Sequence, residues 1–196
     1  MSILVLTSDT LIGTAATGNI EYNGQFFGTD SNASRAQLQR IVQGTAVAST
    51  SGTSIDFTSL PAWCKKITVM FSGVSTNGSS NLQIQLGDSG GFETTGYGSS
   101  MTYIVNATAA TTNVSTGLLV GTYGNTAASY NGITTICTLG SNVWVSATNL
   151  NDSTSTRTFL GSGGKTLSDT LTQIRITTVN GTDTFDAGSV NIIYEG

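Results

Sequence analysis

Asp88 and Glu93 are the two side chains whose type and spacing best suit bond-breaking chemistry. They lie in Leu86-Gly87-Asp88-Ser89-Gly90-Gly91-Phe92-Glu93. Glycoside hydrolysis needs a carboxylate pair held roughly 5–10 Å apart. Asp152, Asp169 and Asp183 are further carboxylates, and spacing along the chain does not place any of them against another. The competing reading is a Gly-rich loop after a strand, in which Asp88 bonds its own backbone. The Gly run lacks both the Lys of a phosphate-binding loop and a following helix. Asn149-Leu150-Asn151-Asp152-Ser153 offers oxygens to Ca²⁺ but not the carboxylate count or spacing of an EF-hand loop. It reads as a solvent loop, and neither a metal site nor a cofactor is expected.

What is missing narrows the chemistry further. The chain has 196 residues, no His, two Cys and only 9% charged residues. Without His there is no Ser-His or Cys-His nucleophile, and the commonest general base and zinc ligand are gone. The expectation is a protein that is not an enzyme. A net charge of −4 has the wrong sign for nucleic acid, and Lys65-Lys66 reads as a solvated strand start. No apolar run reaches the roughly 18 residues of a membrane span. Ile3-Leu4-Val5-Leu6 is too short for a signal peptide, so synthesis and assembly in the cytoplasm of the producing cell are expected. Cys64 and Cys137 can pair, or stay as buried thiols.

The elements that must position these residues are strands. Ile67-Thr68-Val69-Met70-Phe71 and Leu82-Gln83-Ile84-Gln85-Leu86 alternate with period two. Further strands are expected at 101–105, 118–121, 133–139, 143–147, 157–160, 173–179 and 190–194. Such alternation, with Gly, Asn, Asp and Ser between runs, marks antiparallel sheets with one buried face. The expected fold is all-β: an antiparallel β-sandwich of jelly-roll type over residues 53–196. Trp144 lies between Val143 and Val145, so one of the two faces it separates is core.

Residues 1–52 read as an N-terminal arm. Ile3-Leu4-Val5-Leu6 predicts one strand. Asn23-Gly24 between Ile20/Tyr22 and Phe26/Phe27 predicts a hairpin. Ser34 can cap a short helix over Arg35–Val42, and 43–53 reads as a linker. So small an arm cannot bury Ile20, Tyr22, Phe26, Phe27, Leu38, Ile41 and Val42 by itself. They are expected at an interface between copies of the chain, around a symmetry axis.

Three stretches resemble the small β-domains of tail fibres, spikes and decoration proteins of tailed bacteriophages. They are Thr17–Phe27 (TGNIEYNGQFF), Ile67–Gly98 with ITVMFSGVSTNGSS and IQLGDSGGFETTGY, and Phe185–Glu195 (FDAGSVNIIYE). The resemblance implies an intertwined homotrimer with axial hairpins or helices and peripheral sandwiches. Members usually carry a longer N-terminal docking region, so Ile3, Leu4, Val5 and Leu6 are expected to dock on the particle by β-strand addition.

The function expected from this resemblance is a virion structural protein, a homotrimeric spike or short tail fibre acting by assembly and host-surface adhesion. Its partners would be itself, other capsid or tail proteins, and a host glycan or protein. The loops carrying Asp88, Phe92, Glu93 and Tyr97, and those carrying Tyr123 and Tyr130, would face the receptor. The alternative is a capsid decoration or cement protein with the same fold, and third a glycan-degrading spike.

Overall fold

Among the described residues, the alternating apolar–polar stretches pair as antiparallel strands. The structure is a computed structural model describing residues 18–22, 26–29, 32, 34–105, 108–122, 128–155 and 157–196. The strand expected at Ile3, Leu4, Val5 and Leu6, the Asn23-Gly24 turn and Tyr123 lie outside the described residues. Two compact units, Met1–Arg40 and Ile41–Gly196, are taken separately.

In the first unit β1 (Ile20–Tyr22), β2 (Phe26–Thr29) and β3 (Arg35–Gln37) form a three-stranded antiparallel sheet. Ile20 lies opposite Gly28 and Tyr22 opposite Phe26, the hairpin that Asn23-Gly24 predicts. The expected helix is absent, and no helix occurs among the described residues. An eight-residue helix cannot repay its nucleation cost in water. As a strand, Arg35 reaches across β2 to the Glu21 carboxylate, Nε to Oε2 at 2.6 Å and Nη2 to Oε1 at 3.2 Å.

The second unit runs β4 (Ile41–Gln43), β5 (Val47–Ala48), β6 (Ser54–Phe57), β7 (Lys66–Thr76), β8 (Leu82–Asp88), β9 (Gly91–Phe92), β10 (Gly98–Val105), β11 (Thr108–Val114), β12 (Leu118–Gly121), β13 (Tyr130–Gly140), β14 (Val143–Asp152), β15 (Arg157–Thr166), β16 (Gln173–Thr178) and β17 (Phe185–Glu195). A nine-stranded sheet has the order β11-β10-β15-β14-β13-β7-β17-β4, with β5 also on β17. A five-stranded sheet has the order β12-β8-β16-β6, with β9 on β8. Residues 43–53, expected as a linker, therefore carry β5 instead. Ser49 there is buried and donates its hydroxyl to the Ala187 carbonyl at 2.7 Å. Ile41 and Val42 also belong to this unit, opposite Glu195 and Tyr194.

The two large sheets share one core. Ile67, Val69 and Phe71 of β7 and Val190 and Ile192 of β17 join Ile84 and Leu86 of β8 and Ile174 and Ile176 of β16 in a single buried cluster. Each such side chain contributes about 1.5–3 kcal/mol on burial. Trp144 is buried with this cluster, while Val145, on the opposite face of β14, is exposed. The second half of β15 is glycine-rich because its neighbours press on it. A Cβ at Gly161 would sit 2.8 Å from Met101 Cε, and one at Gly163 would sit 2.9 Å from Leu118 Cδ2.

Candidate functional site

The β8–β9 turn brings Asp88 and Glu93 together through one serine. Asp88 Oδ1 accepts the Gly90 N–H at 2.8 Å, and its Oδ2 accepts the Ser168 hydroxyl at 2.7 Å. Glu93 Oε1 accepts the Ser168 N–H at 2.7 Å, and its Oε2 pairs with the Lys165 ammonium. The Ser168 hydroxyl and the Gly90 N–H hold the Asp88 carboxyl below its usual range. Burial pushes Glu93 up, but Lys165 and Ser168 outweigh it and the net shift is downward. A general acid of a glycoside-cleaving pair needs the opposite shift. These carboxylates instead tie the β8–β9 turn to the loop after β15. Asp88, expected to face a receptor, is only 3% exposed.

Tyr97 and Tyr130, also expected to face outward, are core residues at 4% and 5% exposure. The Tyr97 hydroxyl accepts the Leu86 N–H at 2.7 Å and donates to the Glu93 carbonyl at 3.0 Å. The Tyr130 ring meets Phe159 edge-on at 5.6 Å, and burial pushes its hydroxyl up to about 12. Tyr97 satisfies both its apolar ring and its polar tip this way, whereas the Tyr130 hydroxyl is buried without a hydrogen-bond partner among the described residues. Phe92 is half-buried, with the Arg175 guanidinium 4.1 Å over its ring.

Asp152 is 1% exposed and already surrounded by donors. Oδ1 accepts from Ser129 N at 3.0 Å, Thr154 N at 3.0 Å and Thr154 Oγ1 at 2.7 Å, and Oδ2 accepts from Ser155 Oγ at 2.6 Å. Burial raises its pKa, but the Ser155 hydroxyl and the other donors bring it below the ordinary value. Among the described residues no cluster of three or more metal-ligating side chains occurs. Cys64 and Cys137 are free thiols, and burial pushes the Cys64 thiol up to about 11.

The apolar residues expected at an interface divide between the units. Ile20 is 71% exposed, Phe26 45%, Leu38 49% and Ile41 64%. Tyr22, Phe27 and Val42 are half-buried, and the Tyr22 and Phe26 rings are 5.0 Å apart. On the nine-stranded sheet Ile133 and Leu160 are exposed and line a shallow groove of about 480 Å³ with Ala147 and Gly161.

One arrangement was not foreseen from sequence. On the face of the five-stranded sheet turned away from the core, Gln85, Arg175 and Asp56 lie side by side on β8, β16 and β6. Gln83, Thr177 and Ser54 form the next row. Gln83, Gln85, Arg175, Thr177 and Ser54 of these rows floor a polar cavity of about 340 Å³, walled in part by Thr94 and Thr116. The glutamines had marked only the solvent side of an alternating strand, yet Gln83 and Gln85 are 1% and 6% exposed. Comparison with family models, curated proteins and solved structures finds no match for this chain.

Proposed function

We propose that this chain is a structural protein of a tailed-bacteriophage particle, a homotrimeric surface spike or short tail fibre that works by assembly and adhesion. The observation that carries the reading is the exposed apolar set Ile20, Phe26, Leu38 and Ile41, at 45–71% exposure. Three of these sit in or beside the three-stranded sheet, whose strands have only three or four residues each. Sheets that short are marginal without further burial, and a second and third copy can supply it. The phage setting rests on the resemblance of Thr17–Phe27, Ile67–Gly98 and Phe185–Glu195 to virion β-domains.

The jelly-roll form of the sandwich belongs to the same proposal, and the strand order supports it. Four strands in the order β4/β5-β17-β7-β13 face four in the order β6-β16-β8-β12. Successive strands β6, β7, β8 and later β12, β13, then β16, β17 alternate between the sheets, as in a double Greek key. The pairs β10–β11 and β14–β15 are then insertions that widen one sheet.

Light scattering on the purified chain tests assembly: three copies of 20.2 kDa are expected, and a monomer at micromolar concentration would contradict the reading. Immunogold labelling of intact particles tests location. Label confined to the tail supports a spike or fibre, and label spread over the head reassigns the chain to capsid decoration.

A further inference from the structure

The polar cavity on the outer face of the five-stranded sheet has the chemistry of a sugar site. Its volume, about 340 Å³, lies at the small end of the roughly 300–1,000 Å³ typical of ligand pockets. Its floor is rigid, because Gln85 and Arg175 are cross-strand neighbours on β8 and β16, the two central strands of the sheet.

The two buried amides are oriented by the Thr116 loop. Gln83 Oε1 accepts the Thr116 hydroxyl at 2.8 Å, and Gln83 Nε2 reaches the Thr178 carbonyl at 3.5 Å. Gln85 Nε2 donates to the Thr116 carbonyl at 3.1 Å. A carbonyl can only accept, so this bond fixes which end of the Gln85 amide is nitrogen and leaves Oε1 for another donor. Arg175 gives Nε and Nη2 to Asp56 at 2.8 and 2.7 Å, so Nη1 keeps both its N–H groups. The Arg175 guanidinium itself lies over the Phe92 ring, 4.1 Å from its centre. Buried polar groups are costly unless hydrogen-bonded, so a concavity floored by amides favours a partner that supplies hydroxyls.

Charge and polarity select the class of ligand. Arg175 is the one charged side chain lining the cavity, and Asp56 already neutralises it. A phosphate or sulfate would find no unpaired cation there. An apolar ligand would find threonines, glutamines and an asparagine, with Val179 as the one aliphatic lining side chain. A sugar hydroxyl both donates and accepts, which matches a carbonyl oxygen and guanidinium N–H groups set side by side.

We propose that this cavity binds one unit of an uncharged hexose-type glycan, with Gln85 and Arg175 as its polar contacts and Thr94 at its rim. The proposal rests on the adhesion half of the proposed function and gives it a site. Three weak sites on one trimer would gain avidity on a repetitive surface polysaccharide without a new contact.

The test is a ¹H–¹⁵N titration of the full chain with D-glucose, D-galactose, L-rhamnose and N-acetyl-D-glucosamine, each as monosaccharide and trisaccharide. Sodium phosphate is the counter-probe. At least one sugar should shift the Gln85 side-chain amide and the Arg175 Nε–H signals saturably. Gln85→Met should weaken that sugar at least tenfold. If that variant folds poorly, Thr94→Trp, a change at an exposed position, should block the cavity and abolish the shifts. The proposal is overturned if no sugar moves these signals, if the shifts persist in Thr94→Trp, or if phosphate moves them and the sugars do not. The readout is independent of assembly. A silent titration on a trimer leaves assembly standing, and a positive one on a monomer retires the trimer and keeps the site.

Discussion

Asp152 illustrates how a chain with so few charges uses those it buries. Four protein donors at 2.6–3.0 Å converge on one carboxylate at the β14 end and hold Ser129, Thr154 and Ser155 around it. Asp152→Asn removes one acceptor and turns an amide NH₂ toward a donor. Hydrogen bonds to charged groups contribute about 1.5–3 kcal/mol each net. The substitution is expected to cost roughly 2–3 kcal/mol, read as a lower urea midpoint at unchanged slope. A midpoint within error of the parent would refute the four-donor account. Acid should have the same effect by titration. The folded pKa values of Asp88, Glu93 and Asp152 are all depressed, so the unfolded chain binds protons more readily than the folded one. Their contribution is therefore complete above the unfolded values of about 3.9 and 4.3 and is lost as pH falls below them. Thermal melts should be nearly flat from pH 7 to about 5 and drop steeply below about 4, and Asp152→Asn should shallow that drop.

At the scale of elements, β17 stays paired to β7 only by bulging. The register slips between Phe185 and Ala187 and again between Ala187 and Ser189. Gly188 takes φ +92° at the second slip, and a Cβ there would collide with the Gly73 backbone. Gly181 also has positive φ, +68°, but open space around it. Gly181→Ala should cost only the left-handed penalty of about 1–2 kcal/mol, and Gly188→Ala clearly more, because β7 must also move. Equal losses in paired denaturation curves would show that the close approach to Gly73 carries no energy. The same contrast explains which elements were legible in sequence. The nine strands expected from alternation are all present, because one face of each meets the core. Thr108-Ala109-Ala110-Thr111-Thr112-Asn113-Val114 was missed: it is an edge strand, β11, with nothing apolar enough to mark a face. The second half of β15 was hidden because packing against Met101 and Leu118 demands glycine there. The Arg35–Val42 helix failed because pairing with β2 and β17 outcompetes a segment that short. Of the loop residues, Asp88 and Glu93 were found as a pair, but only the fold revealed Ser168 and Lys165 as their partners. Gln83 and Gln85 were legible as one face of a strand, and nothing in the sequence said that face is covered.

At the scale of the whole molecule, the two units differ in how far each can stabilise itself. The buried apolar cluster runs from Ile55 to Ile192 and lies wholly within Ile41–Gly196. That span should fold without the first forty residues, since its strands bring their own core. Among its described residues the first unit has ten strand residues and three large apolar side chains at 45–71% exposure, Ile20, Phe26 and Leu38. If association buries those side chains, their loss should change assembly and leave the larger unit intact. A fragment comprising residues 41–196 is therefore expected to show the full chain's cooperative melt, shifted by only a few degrees, but to scatter light as a monomer. Ile20→Asp with Leu38→Asp in the full chain should do the same without removing a single backbone hydrogen bond. A fragment that still trimerises would place the contact on the larger unit, where Ile104, Ile133 and Leu160 are exposed on the nine-stranded sheet. A fragment that unfolds would show that residues 1–40 contribute to the larger unit's stability, which its self-contained core argues against.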